Sequence, residues 1–233
     1  MFGTFYHSLV RKTVVSFGTL FNNIYVERTD GTGTTQKIKI PLSYASKDRM
    51  FYRLNINVND PKYYATQIIL PRMSFAITSI TYDSERKRNL VSKRYAAKDD
   101  QKIKYHHSEV PYNIGFSLYI YVKNVDDGLQ IVEQILPFFN PQFNITIKPD
   151  ILGDVNELLD IPIVLNQISP TEVYEGILKD DPSRVLIWEL AFSAKIALYG
   201  PVHTSGLIKT ADVNIFDNFE DTLWKGLIYT TEL

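Results

Sequence analysis

Residues 115–147 read GFSLYIYVKNVDDGLQIVEQILPFFNPQFNITI, and this stretch decides the fold. Residues 115–123 are rich in aromatic and β-branched side chains, a composition typical of a strand. A polar turn and then apolar side chains at helical spacing follow, up to Pro141, and residues 143–148 again have the composition of a strand. The order predicts either a βαβ-like unit or a helix laid across an antiparallel sheet, and both remain open at this stage.

The predicted helix between these strands runs from about Asp127 to Phe139. Asp126 or Asp127 can accept hydrogen bonds from the free amides of its first turn, and either charge favours the positive end of the helix dipole. The apolar side chains that we expect to face the sheet are Leu129, Val132, Ile135, Leu136 and Phe139.

Three elements are predicted upstream of this unit. Apolar residues between Phe5 and Ile24 recur at three- and four-residue steps, which predicts an amphipathic N-terminal helix. Alternating residues on both sides of a glycine-containing tip predict a β-hairpin over residues 24–42. Residues 46–54 are expected to form a short helix, and residues 57–61 a polar loop that ends in proline.

Further strands complete the predicted sheet. Residues 67–83 are rich in β-branched and aromatic side chains, and Pro71 near their start favours an edge strand or a bulged one. Residues 159–168 and 184–198 have the composition of two more strands.

Together these elements predict an α+β fold with a single domain. A mixed or mainly antiparallel β-sheet carries the N-terminal helix and the central helix packed on it, together with extended loops or arms. Residues 1–200 are assigned to this domain, with a basic loop or arm at 84–107. Residues 201–233 are expected to form a peripheral C-terminal tail that can dock on a neighbour.

The composition favours a soluble globular protein. Of the 233 residues, 45% are apolar, which is enough for one substantial core, and the lack of cysteine excludes disulfides and thiolate metal sites. The N-terminus does not have the pattern of a secretory signal, and charges or prolines interrupt every apolar run before the roughly 20 residues that span a bilayer. We therefore expect no membrane association, and assembly in a reducing cytoplasm.

Charge is distributed unevenly along the chain. Residues 1–149 contain 20 Lys+Arg and 12 Asp+Glu, whereas residues 150–233 contain 5 and 14, although the formal net charge is only -1. Two interpretations remain open. The opposite charges can neutralise each other within one fold, or they can join copies head to tail, as the heterologous contacts of a closed ring require.

The basic excess is concentrated in residues 84–107, which hold eight Lys+Arg against three Asp+Glu. Such a segment is expected to be a solvated loop or an extended arm. DNA binding is the alternative, but only Tyr95 and Tyr105 are present to stack on bases, so a protein-binding or solvated arm is favoured. The residues that we assign to a candidate subunit or partner interface are Arg86, Lys87, Arg88, Lys93 and Arg94.

The sequence indicates no catalytic, cofactor or metal site. His106 and His107 are adjacent and do not have the spacing of a helical ligand pair, so the four histidines are interpreted as ordinary surface or satisfied side chains. Helix capping accounts for the acidic pair 126–127, and a turn accounts for the pair 180–181. The glycine-containing tip at 31–33 does not have the lysine and the helix of a phosphate loop. We therefore expect a protein that is not an enzyme and needs no cofactor.

The chain resembles the tail sheath stabiliser, or tail terminator, family of T-even-type contractile-tailed bacteriophages. Residues 84–112 do not have the pattern of this family. The phrases that carry the resemblance are MFG at 1–3, FY at 5–6, LFNNI at 20–24, IPLSYASK at 40–47, DDGLQIVEQILPFFNPQFN at 126–144, Ile161 with IVL at 163–165, IWEL at 187–190, PV at 201–202 and GLI at 206–208.

The resemblance implies a structural virion protein that forms a hexameric ring at the head-proximal end of the tail. Such a ring caps the contractile tail, binds the tail sheath protein, lies against the tail tube terminator and presents a surface to the neck or connector proteins. DNA passes through its channel without specific binding. The alternatives are another phage structural protein, from the baseplate or the head-completion connector, and, more distantly, a DNA-processing enzyme.

Overall fold

The computed structural model describes residues 4–29, 33, 35–54, 70–89, 91–99, 102–149, 151, 158–173 and 185–206. The α-helices in this part of the chain are α1 (Leu9–Leu20), α2 (Lys47–Leu54) and α3 (Val125–Ile135). The strands are β1 (Tyr25–Thr29), β2 (Thr35–Lys39), β3 (Leu42–Tyr44), β4 (Arg72–Tyr82), β5 (Lys93–Asp99), β6 (Lys102–His107), β7 (Val110–Val122), β8 (Gln142–Ile147), β9 (Leu159–Val173), β10 (Val185–Leu198) and β11 (His203–Gly206). A short 3-10 helix, Leu136–Phe138, follows α3.

Among the described residues, the central sheet has six strands in the order β3-β4-β7-β10-β9-β8. β3 runs parallel to β4, and every other neighbouring pair is antiparallel. β10 is late in sequence but lies in the middle, between β7 and β9. The connection through α3 therefore leads from β7 past β10 and β9 to β8, and the helix lies across an antiparallel sheet. This decides the question that the sequence left open and confirms the predicted α+β class.

Aromatic packing holds α1 on the sheet. Phe17 of α1 is fully buried, and its ring stacks on that of Phe116 in β7 with the centroids 4.4 Å apart. The rings of Phe75 and Phe192 lie 5.5 and 5.4 Å from the same ring. Gly18 permits this approach, because a Cβ at Gly18 would lie 2.8 Å from Cζ of Phe75. Large rings in such contact bury much apolar surface, so this cluster is the centre of the core.

α2 covers a smaller cluster that includes Met50, Tyr121 and Ile187. The Tyr121 hydroxyl lies 3.3 Å from Oγ of Ser74 and donates a hydrogen bond of 3.4 Å to the carbonyl oxygen of Lys47. Burial raises the pKa of Tyr121 to about 12. The hydroxyl thus stays protonated at neutral pH and remains a donor to α2.

The buried face of α3 differs from the predicted one. α3 buries Ile131, Val132 and Ile135, whereas Leu129 and Leu136 are 49% and 41% exposed. The prediction that Leu129 and Leu136 face the sheet is therefore wrong, and Ile131 contacts the core instead. The helix also begins before the predicted residue and ends at Ile135, where the chain tightens into the 3-10 turn.

Close packing near the start of α3 explains this rotation. Gly128 lies in the first part of the helix against Trp188 of β10. A Cβ at Gly128 would come within 2.6 Å of the indole nitrogen. The helix therefore turns Gly128 and Ile131 towards the sheet, and Leu129, which was predicted to face the sheet, points away from it.

The structure confirms the predicted hairpin, which is formed by β1 and β2. Side chains of α3 hold this hairpin in place. The Asp127 carboxylate, predicted as a helix cap, is buried and accepts a hydrogen bond of 2.5 Å from Nη2 of Arg28 in β1. Gln130 pairs with both the N–H and the carbonyl oxygen of Glu27, at 3.0 and 3.2 Å. Gln134 does the same at the first residue of β1. These amides satisfy backbone groups that an edge strand would otherwise expose.

β4 contains the predicted bulge, because its register with β7 shifts between Ile77 and Ser79. It is not simply an edge strand, since β3 pairs with its first half, from Met73 to Phe75. Gly33 has φ 79°, as a hairpin turn requires. The rest of the predicted glycine tip, the loop at 57–61 and the acidic pair 180–181 lie outside the described residues.

Two truncations on α3 test which of its faces is buried. Ile131→Ala should reduce the free energy of unfolding by about 2–5 kcal/mol, because it leaves a cavity under a fully buried side chain. Leu136→Ala, at an exposed position, should change it by about 1 kcal/mol or less. Urea denaturation of both variants beside the unmodified chain measures the difference. Equal losses would contradict the assignment of Ile131 to the buried face of the helix.

Candidate assembly interface

The basic segment predicted at 84–107 is largely a β-hairpin and not an irregular loop. β5 and β6 pair along it, and β11, from the predicted C-terminal tail, joins the outer side of β6 to give the order β11-β6-β5. Repeated cross-strand hydrogen bonds thus satisfy the backbone of this segment, which charge composition alone did not reveal. We call these three strands the small sheet.

Three of the five predicted interface cations are paired within the chain. Nε of Arg86 lies 2.6 Å from Asp83, and Nε of Arg88 lies 3.0 Å from Glu109. Arg94 approaches the same carboxylate at 3.8 Å. Asp83 and Glu109 are both buried. Arg86 and Arg88 pair with them from the connection between β4 and β5, and Arg94 of β5 reaches Glu109, which precedes β7. Arg86, Arg88 and Arg94 therefore have a structural role that the sequence did not show.

The ion pairs also bear on the charge asymmetry. Within the part of the chain that the structure describes, the remaining pairs join Arg28 to Asp127 and Lys37 to Glu27. All of these pairs lie inside residues 1–149. Internal neutralisation accordingly accounts for part of the basic charge, with acidic partners that lie, among the described residues, in the same half of the chain.

The other two predicted cations are available at the surface. Lys87 is exposed in the turn that follows β4. Lys93 is exposed at the start of β5, with its Nζ 4.8 Å above the ring of Tyr105. That distance is within the range of a cation–π contact, which holds the ammonium group at the sheet surface.

Aromatic rings surround Lys93 on one face of the small sheet. The rings of Tyr95, His203 and His107 lie 5.7, 5.3 and 6.3 Å from that of Tyr105. Cross-strand pairing places these side chains together, because Lys93 is opposite His107, and Tyr105 is opposite both Tyr95 and His203. We call these five residues the tyrosine–histidine face.

The opposite face of the small sheet lies towards the body of the protein. His106 is completely buried there, with its ring perpendicular to that of Tyr199 at 5.2 Å. Its Nδ1 lies 2.6 Å from the carbonyl oxygen of His107. Its Nε2 has no hydrogen-bond partner among the described residues. The interpretation of all histidines as surface or fully satisfied side chains is therefore wrong for His106.

A second candidate surface is an apolar groove at the C-terminal ends of α1 and α3. Its volume is about 440 Å³, and Phe138 at its margin is 65% exposed. Phe21 and Phe139 form its floor, with stacked rings 6.4 Å apart. Exposed apolar area of this kind often marks a contact site for another protein.

Motifs for other functions are not found in the described residues. No group of three or more His, Asp or Glu side chains there is arranged to hold a metal ion. Among the same residues, no helix combines the length and the apolar character needed to cross a membrane.

Two comparisons with known proteins identify the family of this chain. A family model described as the T4-like virus Myoviridae tail sheath stabiliser matches residues 4–230. The tail completion protein gp15 of Enterobacteria phage T4 is 33% identical over 226 residues, which cover 95% of this chain and 82% of that protein. The chain belongs to the tail sheath stabiliser family of T4-like viruses.

Membership of this family confirms the resemblance seen in the sequence and locates the protein in the tail of the virion. A tail sheath stabiliser works by contact with other tail components. The surfaces to consider are therefore those that remain exposed after folding, and not a cleft with converging reactive groups.

The contact between Arg86 and Asp83 leads to a pH-dependent prediction. The hydrogen bond from Arg86 lowers the pKa of Asp83 below its ordinary value of 3.8. The pair between Arg86 and Asp83 stabilises the fold fully above pH 3.8, the ordinary pKa of Asp83. This stabilisation is lost as the pH falls through the lowered pKa that Asp83 has in the folded protein. The free energy of unfolding should therefore decline less steeply between about pH 4 and pH 2 in Asp83→Asn than in the unmodified chain.

Urea denaturation at stepped pH measures this decline, with Asp126→Asn, at an exposed position, as the control. Parallel pH profiles for the unmodified chain and Asp83→Asn would show that this ion pair does not stabilise the fold.

Proposed function

We propose that this tail sheath stabiliser assembles as a hexameric ring that caps the contractile tail at its head-proximal end and connects it to the neck. The family match over residues 4–230 carries this proposal. The ring contacts the tail sheath protein, the tail tube terminator and the neck or connector proteins. DNA passes through its channel without specific binding, and assembly takes place in the host cytoplasm.

The distribution of free strand edges supports a ring. A cyclic ring joins two different surfaces of each subunit, so each copy must offer two unlike edges or patches. In the described residues, β5 and the second half of β4 each lack a strand on one side. Residues 76–82 of β4 carry no charged side chain, and Ile80 and Tyr82 are 52% and 47% exposed. Monomeric proteins usually protect such an edge with charges or proline.

The same proposal assigns the protein a structural and not a catalytic role. One of the carboxylates that sequence analysis considered for chemistry, Asp127, binds Arg28 in the hairpin contact. A ring protein needs exposed contact surface, and the apolar groove and the tyrosine–histidine face supply it.

Particle mass and shape test the ring directly. We expect light scattering of the purified protein to give six times the chain mass of 26.8 kDa at high concentration. Negative-stain images of the same sample should show a ring with six-fold symmetry and a central hole. A monomer or a closed dimer at every concentration would overturn the proposal.

Salt dependence tests whether charge contributes to ring closure. Contacts between exposed charges are screened beyond about 8–10 Å near physiological salt, so each pair adds little and several act together. Moderate salt should therefore reduce the oligomer mass before it lowers the melting temperature. The double variant Lys87→Glu/Lys102→Glu should dissociate at lower salt than the unmodified chain, because both lysines are exposed.

The control for this experiment is Lys123→Glu, another exposed lysine, at the far end of β7 from the small sheet. Arg86 and Arg88 are unsuitable for charge reversal, since both hold buried carboxylates. An oligomer mass that responds neither to salt nor to the double variant would mean that apolar contacts alone close the ring.

A further inference from the structure

The tyrosine–histidine face has the properties of a binding surface rather than of a solvated sheet. Tyr95 is 62% exposed, and Lys93, His107 and His203 are exposed as well. Tyr105, in the middle, contacts all three neighbouring rings and the Lys93 ammonium group. These contacts favour one arrangement of the side chains in the unbound protein, which reduces the conformational entropy lost on binding.

The chemistry of this face selects a partner that is both acidic and apolar. Tyrosine side chains at the centre of a contact commonly provide much of its binding energy. Lys93 attracts carboxylates, and the two histidine rings offer further hydrogen-bond donors to them. The ring faces and edges of Tyr95 and Tyr105 suit aromatic or aliphatic side chains.

One segment of this chain has that composition. Residues 207–233 contain five Asp+Glu against two Lys, together with Phe216, Phe219, Trp224 and Tyr229. The segment is therefore acidic and aromatic at once, and it complements the charge of the small sheet.

The path of β11 determines which copy this segment can reach most directly. β11 starts with His203 opposite Tyr105 and ends with Gly206 opposite Lys102, next to the tip of the β5–β6 hairpin. The chain thus leaves the small sheet in the direction that points away from Lys93 and from the central sheet. To return to its own tyrosine–histidine face, a chain that leaves β11 in this direction must first reverse it.

We propose that the tyrosine–histidine face of each subunit binds the acidic segment 207–233 of a neighbouring copy. This contact deepens the ring proposal and rests on it, because it identifies one pair of surfaces that the ring joins. It is heterologous, as cyclic symmetry requires: a face on one copy receives a segment from the next.

Two substitutions on the face test its contribution to assembly. Tyr95→Ser removes a central ring from an exposed position, and Lys93→Glu replaces attraction by repulsion. Each should raise the subunit concentration needed for ring formation by about tenfold or more, with an unchanged melting temperature of the monomer. Tyr52→Ser is a matched control, because Tyr52 on α2 is also 62% exposed. Lys123→Glu is the control for charge.

Cross-linking of mixed isotopes identifies the occupant. Equal amounts of ¹⁴N- and ¹⁵N-labelled full-length chain are combined in dilute solution, concentrated to form the ring and treated with a carbodiimide, which joins amines to nearby carboxylates. We expect Lys93 linked to an acidic residue in 207–233, with the two peptides carrying different labels. Pairs that carry only the same label, or links from Lys93 to other parts of the chain, would overturn the proposal.

The outcomes separate this inference from the ring itself. If the ring forms and Tyr95→Ser behaves like Tyr52→Ser, the ring proposal stands and this contact is rejected. If Tyr95→Ser leaves the ring intact but abolishes binding of a fluorescent single-stranded oligonucleotide, the face binds nucleic acid, and the segment contact is again rejected. If the chain remains monomeric under all conditions, both proposals fail.

Discussion

The stacked rings of Phe17 and Phe116 connect the two layers of this protein. Phe17 brings α1 onto the sheet, and Phe116 belongs to β7, which pairs with β4 on one side and β10 on the other. The rings of Phe75 and Phe192, from those two neighbours, complete the cluster. A single helical side chain thus contacts three adjacent strands. The positions of α3, of the hairpin that it holds and of the small sheet all depend on a sheet fixed in this way.

The small sheet uses its charges for two different purposes. On the side that faces the body, Arg94 reaches the buried carboxylate of Glu109. On the other side, rings and a lysine face outwards without a covering layer in the described part of the chain. A basic segment can therefore contribute to internal ion pairs and to a contact surface at the same time. Successive side chains of a strand point to opposite faces, so Arg94 can form an internal ion pair while its neighbour Lys93 lies on the outward face.

Local periodicity predicted most helices and strands, because each depends on residues close in sequence. It placed α3 correctly and predicted the burial of Val132 and Ile135. It was wrong for Leu129, since contact between Gly128 and a distant tryptophan turns Ile131 towards the core instead. The small sheet was missed because charged residues conceal strand alternation, and its third strand comes from a remote part of the chain. Three of the five candidate cations pair with the buried carboxylates of Asp83 and Glu109, and charge composition alone did not show these contacts.

The central place of β10 has a consequence for synthesis in the infected cell. β10 is the last strand of the central sheet to leave the ribosome, yet it separates β7 from β9. Until residues 185–198 emerge, the earlier strands can form only two incomplete halves, each with an open apolar edge. Pairings this distant in sequence are slow to form, because the loop-closure entropy is lost before the contacts are gained. The sheet therefore closes only after β10 has emerged, and until then unpaired strand edges of the kind that promote aggregation stay open.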